Sequence, residues 1–292
     1  MSAENQIPRT VNDVTTNSEL VDDNGKTLQQ QLQENEHLLY EQSRIFSLQI
    51  EDEVRNNQEL IGPKSNILTL VEAYAPETSP EYSKKAVQLS NIYGHVRRVR
   101  GDGNCFYRSI LTALLEKCLN DKSLLEQFKK LAGEWRDKFF AMGFPELTTS
   151  DFCDSIDELL KDLENNVYDS NSLMVTLGDE NIANYYVAYM RILTSAFLRE
   201  NKELYEGFIE GGRTMEAFCL DEVEPMWKEC DHITIIALVN ALKVNIRIEY
   251  MDQSHSPEGG IHYDICGSES SNTEPFLFFL YRPGHYDILY KD

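Results

Sequence analysis

The spacing of apolar side chains divides the sequence into a helical front and middle and a strand-rich end. Between Thr27 and about Asn57, Leu28, Leu32, Leu39, Phe46 and Ile50 fall roughly on one helical stripe within Gln- and Glu-rich sequence. This predicts an amphipathic helix, ended by Gly62-Pro63. Packing on the body is the ordinary use of such a stripe, and docking onto a partner is the other. Two shorter helices are predicted near 65–74 and 79–92, the second with Ser79 as N-cap, Pro80 at the first helical position and Glu81 in the first turn. Gly94 stops it. From 105 to 210 the pattern is mainly helical, with three- and four-residue spacing through 122–141, 151–164 and 181–199.

The period then changes. Val244 to Tyr250 alternates strictly and predicts a strand with one face buried. Residues 252–274 read as a surface loop with a short strand near 261–265, while Phe276–Tyr281 and Tyr286–Tyr290 are two further strand candidates. Helices in the middle and strands gathered toward the end predict an α+β or α/β domain, with a small central β-sheet flanked by helices. Residues 1–26 carry few large apolar side chains and read as a disordered polar arm.

Charge narrows the partners. The 292 residues carry 27 Lys+Arg against 49 Asp+Glu, a net charge of −22, and residues 101–292 hold 17 basic and 34 acidic side chains, −17 of that total. Such a surface repels phosphate backbones, which excludes nucleic-acid binding as the main activity and favours a partner with a basic face. No run of eighteen or more apolar residues occurs, so no membrane span is expected, and Met-Ser-Ala-Glu-Asn-Gln does not read as a secretory signal. The six cysteines (105, 118, 153, 219, 230 and 266) form no Cys-x-x-Cys and no tight cluster with histidine. That argues against a metal site and against a disulfide scaffold; reduced thiols in cytosol or nucleus fit.

The chemistry is concentrated in two stretches. In Gly101-Asp102-Gly103-Asn104-Cys105-Phe106-Tyr107-Arg108 a glycine-flanked turn is followed at once by a helical pattern, with Phe106, Ile110 and Leu114 four apart. Cys105 then stands at a helix N-terminus, where unpaired N–H groups and the dipole favour a thiolate. The loop Asp102, Gly103 and Asn104 can aim amides at a developing oxyanion. Of the six histidines, His232 follows Asp231 at the start of an apolar helix and reads as part of a cap. His285 stands instead in Tyr281-Arg282-Pro283-Gly284-His285-Tyr286-Asp287, where two strands meet at a Pro-Gly turn. On an extended strand, His285 and Asp287 point to one face, so Asp287 can hold one ring nitrogen while the other faces Cys105. Each half alone is ordinary: a cysteine at a helix start is usually a small hydrophobe, and a His-x-Asp pair is usually structural.

Together the two stretches resemble the nucleophile and histidine motifs of the ovarian-tumour (OTU) family of cysteine proteases, in the form found in the otubains. Phe208–Thr214, Glu222–Met226 and the stretch from Asp231-His232-Ile233 through Glu249-Tyr250-Met251-Asp252 resemble otubain sequence in the same order. The resemblance covers about residues 64–292. It implies a papain-like OTU fold and a deubiquitinating cysteine isopeptidase (a ubiquitin thioesterase) with no metal and no organic cofactor. Cys105 would be the nucleophile, His285 the base and then the acid, and Asp287 its orienting partner, with Asp102 counted in the active site. Tyr286 is assigned to the channel for the ubiquitin tail from its place beside His285. The substrates implied are ubiquitin and polyubiquitin chains, with a preference for lysine-48-linked chains. Residues 27–63 form the N-terminal amphipathic segment and 64–292 the catalytic domain of a cytoplasmic or nuclear monomer. The rival reading is a non-catalytic binding protein that inhibits chain synthesis by holding ubiquitin and ubiquitin-conjugating enzymes through residues 27–63. A thiol hydrolase acting on some other substrate is a third.

Overall fold

The computed structural model describes residues 28–255, 260–267 and 274–291; the arm read at residues 1–26 lies outside them. The chain divides into two compact units, residues 1–52 and 53–292. Helix α1 (Leu28–Asn57) matches the expected amphipathic helix in extent. On it Leu38, Leu39, Tyr40, Ile45 and Phe46 are all exposed.

The second unit is α+β. Strand β1 (Ile61–Asn66) leads to α2 (Leu68–Glu72), α3 (Pro80–Ser90) and β2 (His95–Val99). A helical run follows: α4 (Cys105–Cys118), α5 (Lys122–Ala141), α6 (Glu146–Glu164), α7 (Ser170–Gly178) and α8 (Glu180–Glu200). Short helices α9 (Lys202–Tyr205) and α10 (Met215–Phe218) and a π turn at Cys219–Val223 lead to α11 (His232–Leu242). Strands β3 (Asn245–Tyr250), β4 (Ile261–Cys266), β5 (Leu277–Arg282) and β6 (His285–Tyr290) complete one sheet in the order β1-β2-β6-β5-β3-β4. Among the described residues only the β3–β5 pairing is parallel.

Period-two alternation gives this sheet two cores. Val99, Phe279 and Ile288 pack against the helices led by α4, whereas Val96, Leu280 and Leu289 pack under α2 and α3. From Cys105 through Leu115 every residue of α4 is buried. A helix buried on all sides, Arg108, Ser109 and Thr112 included, is central to the fold. Burying Phe106, Ile110, Leu111 and Leu114 contributes about 2 kcal/mol each. The helix that begins at Cys105 is therefore among the least mobile parts of the fold.

Several elements depart from the sequence reading. Gly62-Pro63 does not close a helix; it lies inside edge strand β1, where a register shift between Ile61 and Lys64 accommodates a proline that cannot donate to the ladder. The stretch 61–63, grouped above with the N-terminal segment, thus belongs to the sheet. Strand β2 escaped notice because His-Val-Arg-Arg-Val does not alternate: Arg97 is buried, with Nη2 2.8 Å from Glu116 Oε1 and Nη1 2.8 Å from the Gly62 carbonyl. Strand β3 is covered on both faces, its polar Asn245 and Glu249 included, and Glu249 accepts a 2.6 Å bond from the Tyr93 hydroxyl. Ser79 stands where the N-cap was expected but makes no side-chain cap bond.

Candidate active site

The site lies where the β5–β6 turn meets the N-terminus of α4. Pro283-Gly284 forms the turn, with Gly284 at φ 73°, and this brings His285 back alongside Arg282. Along β6, His285, Asp287 and Leu289 share the face toward α2 and α3. Asp287 Oδ1 lies 2.9 Å from His285 Nε2, as the spacing predicted. That leaves Nδ1, the nitrogen on the side of Gly101, for the thiol. Cys105 is near enough to the ring to favour its protonated form.

Asp287 is wholly buried, yet its carboxylate is fully partnered. Oδ1 also accepts the Val99 N–H at 3.0 Å, while Oδ2 takes Arg282 Nη2 at 2.6 Å and Arg98 Nη1 at 3.1 Å. Burial pushes this carboxyl up, but the His285 hydrogen bond and the charges of His285, Arg282 and Arg98 outweigh it and hold it below its ordinary value. For His285 burial works downward, and the bonds and charges of Asp287 and Cys105 reverse it, raising the imidazole to about 9. At neutral pH the ring is therefore an imidazolium, ready to stabilise a thiolate and later to give up a proton.

The nucleophile turn is held from three sides. Gly103 has φ 75°, and a Cβ there would overlap the Trp227 carbonyl, so both conformation and space call for glycine. Asp102 makes a local turn, accepting the Asn104 N–H at 3.0 Å through Oδ1 and Arg108 Nη2 at 2.7 Å through Oδ2. Asn104 is the N-cap residue of α4, but its side chain does not cap. Its Oδ1 instead accepts Arg191 Nη2 at 2.7 Å, Arg191 Nε at 3.1 Å and the Trp227 N–H at 3.2 Å. The Asn104 amide N–H is thus taken up, whereas Cys105, first in its helix, keeps an N–H with no intrahelical acceptor.

Arg191 went unremarked in the sequence. Completely buried on α8, it also donates to the carbonyls of Gly103, Val223 and Lys228 and stacks 4.4 Å from the Tyr107 ring centroid. Burial lowers its guanidinium below the ordinary value. Its signal in the sequence was a charge inside an apolar helical run, Tyr189-Met190-Arg191-Ile192-Leu193. Arg98 and Arg282 left no comparable trace, since their shared partner lies on another strand or beyond the turn.

Two clefts flank the pair. One of about 260 Å³ is lined by Cys105, Glu229, Asp231, His232, Tyr281 and Tyr286. Tyr286 is among its lining residues, although the residue is buried, its ring 5.0 Å from that of Phe106. Asp231 caps α11 through the Thr234 N–H, as read, but His232 beside it also reaches this cleft. The second cleft, about 970 Å³, is lined by Tyr74, Tyr82, Arg98, Arg282, His285 and Asp287.

A family model described as Peptidase C65 Otubain matches residues 53–291. The chain is 40% identical over 270 residues to a ubiquitin thioesterase otubain-like protein of Caenorhabditis elegans, covering 92% of this chain and 93% of that one. It is 40% identical over 242 residues to ubiquitin thioesterase OTUB1 of Homo sapiens, covering 83% and 87%. Among solved structures, one described as a ceOTUB1 ubiquitin aldehyde UBC13~Ub complex superposes with a TM-score of 0.80 at 42% identity, covering 84% of this chain and 98% of that one.

Proposed function

The chain belongs to the otubain family and is a cysteine-type deubiquitinase, and from that premise we propose that Cys105, His285 and Asp287 hydrolyse the isopeptide bond between ubiquitin's C-terminal glycine and a lysine. The observation that carries this reading is the His285 ring, bonded by Nε2 to a buried carboxylate, with Cys105 at a helix start near enough to favour the ring's charged form.

The Cys105 thiolate attacks the glycine carbonyl carbon, and the negative charge formed on its oxygen meets the Cys105 N–H and the positive end of α4. Collapse breaks the carbon–nitrogen bond while the His285 imidazolium gives its proton to the departing lysine nitrogen. The neutral ring then takes a proton from water, whose oxygen attacks the thioester and releases ubiquitin and the thiolate. Asp287 keeps the ring turned toward the thiol throughout. Asp102 acts one step away, shaping the turn through Asn104 and Arg108.

Ubiquitin and ubiquitin-conjugating enzymes are the partners, in keeping with relatives solved with ubiquitin aldehyde and UBC13~Ub. The preferred substrate is the lysine-48-linked chain. A panel of differently linked di-ubiquitins tests this, with lysine-48-linked di-ubiquitin consumed fastest and nothing consumed by Cys105→Ala. Equal cleavage of all linkages contradicts the preference, and cleavage by Cys105→Ala contradicts the chemistry.

One observation favours a second, coexisting role. The exposed Leu38, Leu39, Tyr40, Ile45 and Phe46 of α1 give that helix apolar surface for a ubiquitin-loaded conjugating enzyme. Cys105→Ala protein then inhibits chain synthesis, and removal of residues 1–52, which leaves β1 in place, relieves the inhibition. Equal inhibition by both forms rules the helix out.

A further inference from the structure

We propose that Arg98 is a positioning residue for this reaction, its guanidinium tempering the hold of Asp287 on the His285 proton and so setting how alkaline the medium can become before that proton is lost. The inference rests on the catalytic reading above but concerns a side chain that touches neither the thiol nor the acyl group.

Register puts the parts together. Arg97 pairs with Ile288 across β2–β6, and Arg282 pairs with His285 across β5–β6. Alternation then sets Arg98, Asp287, His285 and Arg282 on the same face of three adjacent strands. The two carboxylate oxygens divide their partners: Oδ1 serves His285 and the Val99 N–H, while Oδ2 serves the two guanidiniums. A buried carboxylate facing an imidazole alone would bind its proton as tightly as geometry allows. Two further positive charges on the same carboxylate oppose that, because each draws on the negative charge that otherwise favours the imidazolium.

Other groups surround the ring. Cys105 comes from α4 and favours the proton, and Asp102 in the preceding turn is paired with Arg108. The Glu229 carboxylate lies against Gly284, and Asp231 is engaged in capping α11 beside His232. Glu59, Tyr74 and Tyr82 line the second cleft, and the Tyr74 hydroxyl accepts from Arg282. Arg282 is thus tied on two sides. Arg98 is 38% exposed at its side chain and opens onto the 970 Å³ cleft, so water can replace it on Oδ2 without leaving an orphaned buried charge.

The test is an NMR-detected titration of the His285 ring in full-length Cys105→Ala protein, alone and combined with Arg98→Ala or Arg98→Lys. The expected result is a His285 midpoint moved up by about half a pH unit or more in Arg98→Ala and restored by Arg98→Lys. With Cys105 intact, the alkaline limb of kcat/KM for a ubiquitin C-terminal fluorogenic substrate moves the same way. An unmoved or lowered midpoint overturns the proposal, as does a drop in kcat/KM at all pH values with no movement of the limb. The titration needs no substrate, so failure of the deubiquitinase reading would appear separately, as wild-type protein that leaves the fluorogenic substrate intact.

Discussion

At the scale of single residues, the nucleophile turn is the least forgiving part of the site. Gly103→Ala adds a methyl group against the Trp227 carbonyl at a φ of 75°, and the expected penalty is about 2–3 kcal/mol of stability. Urea denaturation reads it, and kcat/KM falls with it because Cys105 follows two residues later; an unchanged midpoint contradicts the steric account. The histidine half carries its own prediction. His285 is raised to about 9, so its proton is held below that pH and lost as the pH rises through it, and the alkaline limb of the rate profile falls there. Much at this scale was legible in the sequence. A cysteine directly after Gly-Asp-Gly-Asn and a His-x-Asp on an extended segment are local patterns, and local geometry suffices to interpret them. Arg98, Arg191 and Arg282 were not legible, because each acts through acceptors that only the folded chain brings near: Arg191 lies 87 positions from Asn104.

Among the elements, the long helices were plain because their apolar stripes repeat over many turns. Helix α5 fell where 122–141 was expected, and α8 almost coincides with 181–199. Strands β1 and β2 were hidden for opposite reasons, a proline in one and buried arginine in the other. Both are short, and Arg97 and Arg98 find their partners across the sheet and on α4. The segment after β3 read as surface loop, yet it is pinned to α3: the buried Lys85 Nζ lies 2.7 Å from Asp252 Oδ1 and 3.0 Å from the Asp252 carbonyl. The Lys85 and Ser254 hydrogen bonds lower Asp252 to about 2. A lowered carboxyl contributes stability above its ordinary value near 3.8, and that contribution disappears as the pH falls through about 2. Removing either partner is not equivalent. Asp252→Ala leaves a buried ammonium short of its counter-charge and is expected to cost more than Lys85→Met, which also removes the charge that needed one. Thermal unfolding of the two variants at pH 7 compares them, and a larger loss for Lys85→Met contradicts the argument.

For the whole molecule, the −22 charge excluded a class of partners without identifying the chemistry. What identified it was the meeting of two segments 180 positions apart on opposite faces of one sheet: Cys105 at the start of α4 and His285 at the start of β6. The sheet order β2-β6-β5 does the positioning, since it sets Arg98, Asp287 and Arg282 side by side and leaves His285 at the strand end, next to the β5–β6 turn. No helix among the described residues is long and apolar enough to cross a membrane. The acidic body leaves Glu229 and Asp231 on the wall of the cleft that holds Cys105, in keeping with a partner whose tail is basic. The most direct measurement of the central claim is intact mass followed by peptide mapping, after exposure to ubiquitin carrying a C-terminal electrophile. The account predicts one ubiquitin added per chain, attached at Cys105, and none added to Cys105→Ala or to protein treated with an electrophile lacking ubiquitin at the same concentration. Labelling at any of the other five cysteines, or an unlabelled Cys105 in folded protein, would contradict it.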